Sequence, residues 1–221
     1  MEIDVRLWTI DALPKRRARL ERWIRTLPFG EGERERLLNM RNETALRQSL
    51  GGWLALWRLA KQRGFAKQSL SVERTETGKP RFADPRLPTF SISHSGALCV
   101  AALCGRAEES VGVDVQLAQL RGDPSAIAKR FFTQEEQRLC ADDHEQPAAF
   151  FKIWTQKEAV AKQSGAGLAA VLSNAEASPS ADLRTMRVRY GGQCYYLSVA
   201  ASEEITAFCV RSKRRGVKIE L

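Results

Sequence analysis

The chain has 221 residues and is short of several things that would mark a special class of protein. Histidine occurs only twice, and the five cysteines (Cys99, Cys104, Cys140, Cys194 and Cys209) are odd in number, scattered and without a Cys-x-x-Cys pair. That spacing excludes a paired disulfide framework and a cysteine-built zinc site, and fits reduced thiols in a cytoplasmic protein. Long apolar runs are missing too: a stretch such as Ala97 to Cys104 falls far short of the roughly 20 residues that cross a bilayer. The opening MEIDVRLWTI has acids and a tryptophan where a secretion signal needs a basic and then an apolar stretch, so neither export nor membrane association is expected. No linker rich in Pro, Gly or Ser divides the chain, and no tract is of low complexity.

What remains is ordinary globular composition, 43% hydrophobic and 28% charged, in a chain long enough to bury a core unaided. Charge is the first functional hint. Thirty-five Lys and Arg against 26 Asp and Glu give +9, an excess that attracts phosphate-bearing ligands, nucleic acid or acidic proteins without choosing among them.

Apolar periodicity places a helix after Pro14, with the proline in its first turn and Leu20, Trp23, Ile24 and Leu27 on one stripe. A longer helix carries Leu46, Leu50, Trp53, Leu54 and Trp57 and ends near Gly64. A hairpin follows, Phe90 to Ser93 returning as Ala97 to Leu103 through a His94-Ser95-Gly96 turn. The second half repeats the order. A strand over Val111 to Gln116 precedes helices near Ser125 to Phe132, Gln134 to Ala141 and Pro147 to Ser164. Then come a strand over Met186 to Tyr190 and a hairpin of Tyr195 to Ala200 with Ile205 to Arg211. Helices followed by a hairpin, twice, indicate an α+β fold of two similar, pseudo-symmetric halves facing each other, residues 1–107 and 108–221.

On the strand Val111-Gly112-Val113-Asp114-Val115-Gln116, the valines face one way and Gly112, Asp114 and Gln116 the other. A carboxylate on so apolar a strand marks either a wet edge or a magnesium site, because that ion takes one or two carboxylates and completes its shell with water and phosphate oxygens. Glu158 and Lys162 lie four apart on one helix, the spacing of an ordinary surface ion pair, but aromatics crowd around them. Phe90-Ser-Ile-Ser-His-Ser offers hydroxyls and an imidazole to an anion; a Ser/His hydrolase would need an acid and an oxyanion hole that are not spelled here. Thr133-Gln-Glu-Glu136 reads as a capping box that opens a helix.

Gly78-Lys79-Pro, Phe90-Ser-Ile-Ser-His-Ser, Val111-Gly-Val-Asp-Val, Phe131-Phe and Trp154-Thr-Gln-Lys-Glu-Ala-x-x-Lys162, in this order and ending by Leu168, resemble the 4′-phosphopantetheinyl transferases. The type that activates surfactin synthetase is the nearest in pattern. The resemblance implies transfer of the phosphopantetheine arm of coenzyme A to a serine of an apo acyl or peptidyl carrier protein, with release of adenosine 3′,5′-bisphosphate. It implies Mg2+, or Mn2+ in its place, held by Asp114 and Glu158. It further implies catalytic roles for Asp114, Glu158 and Lys162, and coenzyme A binding by Lys79, Ser93, His94 and Lys157. Where many relatives have a second strand acid this chain has Gln116, expected to meet the metal directly or through water. Relatives also place basic residues before the long helix; Arg34, Arg36, Arg41 and Arg47 are the candidates here, with Arg47 the best placed. A monomer that binds neither nucleic acid nor membrane is expected. The competing readings are a basic nucleic-acid-binding module, for which no recognition signature is present, and a catalytically inactive coenzyme A-binding regulator.

Overall fold

A computed structural model describes residues 1–65, 70–120, 122–141, 148–166, 182–212 and 216–220. The chain opens with strand β1 (Glu2–Thr9), a single 3-10 turn and three helices, α1 (Arg17–Arg25), α2 (Glu31–Leu38) and α3 (Glu43–Gln62). A small hairpin of β2 (Val72–Arg74) and β3 (Pro80–Phe82) precedes the β4 (Phe90–Ser95) and β5 (Leu98–Cys104) hairpin. The order then recurs as β6 (Val111–Leu117), helices α4 (Pro124–Phe131), α5 (Gln134–Ala141) and α6 (Ala148–Ser164), and strands β7 (Asp182–Tyr190) and β8 (Gln193–Ala201). Strands β9 (Ala207–Ser212) and β10 (Lys218–Glu220) follow. The α+β reading therefore stands, as strand, three helices and hairpin, twice.

The strands form two four-stranded sheets, ordered β4-β5-β1-β9 and β10-β7-β8-β6. Alternation on the strands makes two packed layers of each sheet. Ile3, Val5 and Leu7, with Leu98, Val100 and Ala102, face Val111, Val113, Val115, Leu197 and Val199 of the second sheet in one shared core. The intervening residues, Trp8, Cys99, Ala101 and Leu103, face outward under the α1–α3 layer. On the far side α6 lays Ala159 and Val160 against Ala200. The result is four layers, helix, sheet, sheet, helix.

Three local expectations change. Helix α1 begins after Arg16, so Pro14 lies ahead of its first turn and not in it. His94 and Ser95 belong to strand β4, because the turn is the two-residue Gly96-Ala97, with Gly96 in the left-handed region at φ 54°. The second hairpin is β7 with β8 about Gly191-Gly192, both with positive φ. The strand expected to return beside Tyr195–Ala200 instead leaves that sheet, and β9 runs parallel to β1. Two glycines in left-handed conformation make the tight turn, whereas the stretch after Ala201 has no such pair and carries the chain across to the other sheet. Of the sequence landmarks, Pro147 and Leu168 lie outside the described residues.

The two sheets meet along a seam between their edge strands β4 and β6. The backbone N–H groups of Val113, Val115 and Leu117 donate to the hydroxyls of Ser91, Ser93 and Ser95 at 3.0, 3.4 and 3.0 Å. Alternate serines thus replace backbone carbonyls, and these three donors of the β6 edge are satisfied. Beside the seam, Gly112 lets α6 sit directly on β6: a Cβ there would lie 1.9 Å from the carbonyl oxygen of Ala159 and 2.4 Å from the nitrogen of Gln163. Backbone cannot yield as a side chain does. Gly112→Ala is therefore expected to cost about 3 kcal/mol or more. Ser91→Ala, which strands the Val113 N–H, should cost about 1–3 kcal/mol. Urea unfolding with a constant m-value checks both.

Candidate active site

The same alternation that buries the valines of β6 sends Asp114 and Gln116 toward α6, and the Gly112 contact sets Glu158 and Lys162 of that helix above them. Asp114 is 5% exposed. Its Oδ1 accepts from the Lys162 ammonium at 2.6 Å and from the Ser93 hydroxyl at 2.7 Å. Lys162 also donates to Ser93 Oγ at 2.9 Å, so a strand from each sheet and a helix converge on one hydroxyl. Lys162 thus reaches across to the strand and does not make the surface pair with Glu158 that i,i+4 spacing would allow. Asp114 Oδ2 is buried and has no hydrogen-bond partner. Burial, and then the Asp114 charge, push the Glu158 carboxyl above its ordinary 4.5, with Lys162 opposing.

These groups line one end of a cleft of about 440 Å³ between the two halves. The other end is basic. Arg36 from α2 and Arg74 from β2 line it together with His94, Ser49 and Trp53. One buried acid organises both arginines: Glu33 Oε1 accepts from Arg36 at 2.6 Å, and its Oε2 accepts from Arg74 at 2.9 Å. Arg74 donates in addition to the carbonyl of Gly78 at 2.9 Å. Loss of solvation in the cleft, and next the Lys162 charge, hold His94 below the usual imidazole range and favour its neutral form.

Six of the residues singled out in the sequence, Ser93, His94, Asp114, Gln116, Glu158 and Lys162, share this cleft. Three do not line it. Lys79 donates to the carbonyl of Gln163 at 3.1 Å, capping the C-terminal end of α6, where burial depresses its pKa. Lys157 pairs with Glu136 at 2.9 Å on the far side of the same helix. Arg47 pairs with Glu43 at 2.7 Å and donates to the carbonyl of Lys15. Arg34 and Arg41 do not line it either; of the arginine candidates Arg36 does, together with Arg74, whose sequence signal is weak because it sits in a three-residue strand four positions before Gly78. The Thr133–Glu136 capping box is present as read, with reciprocal bonds of 2.7 and 3.2 Å.

The donor set can hold a hard divalent cation. An unpartnered buried carboxylate oxygen on Asp114, the half-buried Glu158 carboxylate and the Gln116 amide oxygen converge in a cleft open to water. Oxygen donors in small number, with room for water, are what magnesium takes. Among the described residues no group of three His, Cys, Asp or Glu could hold a metal, in keeping with an amide where a third acid would stand.

Residues 110–209, which carry β6, α6 and the acids, match the family described as ACPS: 4′-phosphopantetheinyl transferase superfamily. Among individual relatives, 4′-phosphopantetheinyl transferase Sfp of Bacillus subtilis (strain 168) is 32% identical over 134 residues, 60% of this chain and 58% of its own. The 4′-phosphopantetheinyl transferase HetI of Nostoc sp. is 32% identical over 130 residues, 56% of this chain and 50% of its own. AcpT of Salmonella typhimurium, bearing the same description, is 35% identical over 108 residues, 48% of this chain and 55% of its own. The chain covers about half to three fifths of these relatives' length.

The raised Glu158 pKa has a consequence for stability. The folded protein holds that proton to higher pH than the unfolded chain, so stability falls as pH rises from the ordinary value of 4.5 through the raised one. In metal-free buffer Glu158→Gln is expected to melt above wild type at pH 7, with the gap closing below pH 4.5; calorimetry across pH measures it. Magnesium should raise the wild-type melting temperature and leave the variant's unchanged.

Proposed function

We propose that this protein transfers the 4′-phosphopantetheine group of coenzyme A to a serine of an apo acyl or peptidyl carrier protein, releasing adenosine 3′,5′-bisphosphate. The observation that carries this reading is the Ser93–Asp114–Lys162 knot, with its free Asp114 oxygen beside Glu158, facing an arginine-and-histidine end of the same cleft. Such a site suits a ligand with a diphosphate and a separate phosphate. The match of residues 110–209 to that superfamily and the names of the similar proteins support it.

In this reading the basic end, Arg36, Arg74 and His94, takes the nucleotide's phosphate, and a dianion there draws His94 toward its protonated form. Ser93 and Lys162 donate toward the diphosphate, and Lys162 neutralises charge as the bond to the departing phosphate breaks. The carrier serine oxygen bonds to the phosphorus that bears the pantetheine arm. Its proton passes to Glu158, whose raised pKa makes it a better acceptor than an ordinary carboxylate. Magnesium, or manganese in its place, held by Asp114 and Glu158 with Gln116 directly or through water, would supply further charge neutralisation at the diphosphate. Lys79, Lys157 and Arg47 act at a distance, by fixing helix ends and faces. The two halves, meeting near residue 107, supply one wall of the cleft each. The +9 charge favours encounter with an acidic carrier protein. A cytoplasmic monomer fits the thiols of Cys99 and Cys104, buried and pushed up to about 12.

Intact-mass analysis of apo carrier protein incubated with this protein, coenzyme A and magnesium should show a gain of roughly a third of a kilodalton, as phosphoryl-type transfer of the arm requires. Asp114→Ala and Lys162→Ala should abolish it. Binding of coenzyme A without a mass gain on fatty-acid, polyketide or peptide carriers would leave a regulator instead, and salt-sensitive DNA binding indifferent to coenzyme A a nucleic-acid module. Glu33→Gln, which unties both arginines, is expected to raise the KM for coenzyme A about tenfold with a smaller fall in kcat, as loss of uniform binding does.

A further inference from the structure

A second cavity lies on the far face of the first sheet, away from the catalytic cleft. It has a volume of about 470 Å³, within the range of roughly 300–1,000 Å³ typical of small-molecule sites. Three of the chain's five tryptophans, Trp8 of β1, Trp23 of α1 and Trp57 of α3, wall it, with Leu54 behind them. Two polar features are out of place in such a lining. Thr9, a residue of the cavity lining, is 1% exposed and its buried hydroxyl has no hydrogen-bond partner. Arg58, one turn before Gln62 on α3, stands on the wall as well.

Arg58 is not alone. Arg6 and Arg211 are paired in register on β1 and β9, and both donate to the same Gln62 oxygen, at 3.4 and 3.1 Å. The three cations repel one another enough that Arg6 is depressed by burial and then by the charges of Arg58 and Arg211. Arg6 Nε is buried without a partner. Among the described residues Arg6, Arg58 and Arg211 form no ion pair with a carboxylate, and the acids of β1, Glu2 and Asp4, both go to Arg63. Buried polar groups are ordinarily bonded, and clustered cations are ordinarily balanced. One ligand would satisfy both conditions: a ring for the indole faces and an anion for the guanidinium groups.

We propose that this cavity is a binding site for a planar aromatic anion, with its ring between Trp8, Trp23 and Trp57, its polar edge at the Thr9 hydroxyl, and its anionic group at Arg58, Arg6 and Arg211. Ring stacking and cation–π contact suit the tryptophans, and a phosphate or sulfonate takes the forked donors of arginine. The site is independent of the transferase reading and stands or falls separately.

The probe is 1-naphthyl phosphate, followed by the five indole N–H signals of the uniformly labelled protein. Trp8, Trp23 and Trp57 are expected to shift in a saturable way. Trp53, on the catalytic cleft, and Trp154, on the groove beside it, should stay in place. Calorimetry should show affinity falling at least tenfold in Arg58→Gln/Arg211→Gln and in the switch to neutral 1-naphthalenemethanol. Thr9→Val should weaken binding with the fold intact, as thermal unfolding would show. No saturable shift at millimolar probe, shifts centred on Trp53 or Trp154, or equal affinity for the neutral ring would overturn the proposal.

Discussion

Everything functional in this molecule hangs on one hydroxyl. Ser93 Oγ receives the N–H of Val115 and the ammonium of Lys162 while giving its own proton to Asp114, so it uses one donor and two acceptor positions in three directions. A serine can do this because its oxygen is small enough to stand in for a backbone carbonyl at a sheet edge. Its flanking partners, Ser91 and Ser95, repeat the edge contact without the chemistry and hold the register. The seam is therefore a structural joint whose middle rung is also the floor of the cleft. The second constraint is steric: only glycine at position 112 lets α6 come close enough for its lysine to reach the rung.

The cleft is polarised along its length. At one end two carboxylates face a single lysine that bonds only to Asp114; burial, and then the Asp114 charge, lift the Glu158 pKa, and an oxygen of Asp114 is left unbonded. At the other end two arginines share a single glutamate, a shortage of negative charge. Each end is balanced only in part, and the missing charges are of opposite sign. A bound polyanion with a divalent cation corrects both at once, whereas neither component alone does. In the proposed reaction this arrangement would link affinity for the two and favour their joint binding over the capture of stray phosphate.

Much of this was legible in the sequence, for physical reasons. Strict alternation around Asp114 gave the direction of the acid, because a strand with valines on one face has no other way to lie. The i,i+4 spacing of Glu158 and Lys162 put both on one side of a helix, and the capping box appeared as spelled. Long-range choices were not legible. Whether Lys162 pairs with Glu158 or with Asp114 depends on the distance between α6 and β6, which Gly112 sets. Arg36 and Arg74 meet only through Glu33, and no local pattern connects a residue of α2 with one of β2. Lys157 had the right neighbours in sequence but the wrong azimuth on the helix, where Glu136 was waiting. Strand β1 escaped notice although Ile3, Val5 and Leu7 alternate, because its parallel partner lies almost a whole chain away.

That partner has a bearing on how the protein is made. Strand β1 leaves the ribosome ahead of β5 and pairs with it, but its other edge waits for β9, which follows only after the whole second run of helices. Until then the nascent first half carries an open, apolar strand edge, the kind of surface that captures other chains. The late strand must also close a very long loop, which slows the final step. Cutting the gene between the halves would thus yield one piece without its closing strand and another with a strand that has no sheet to join. The repeat looks like two modules in tandem, yet it is synthesised as a single clasp that shuts last.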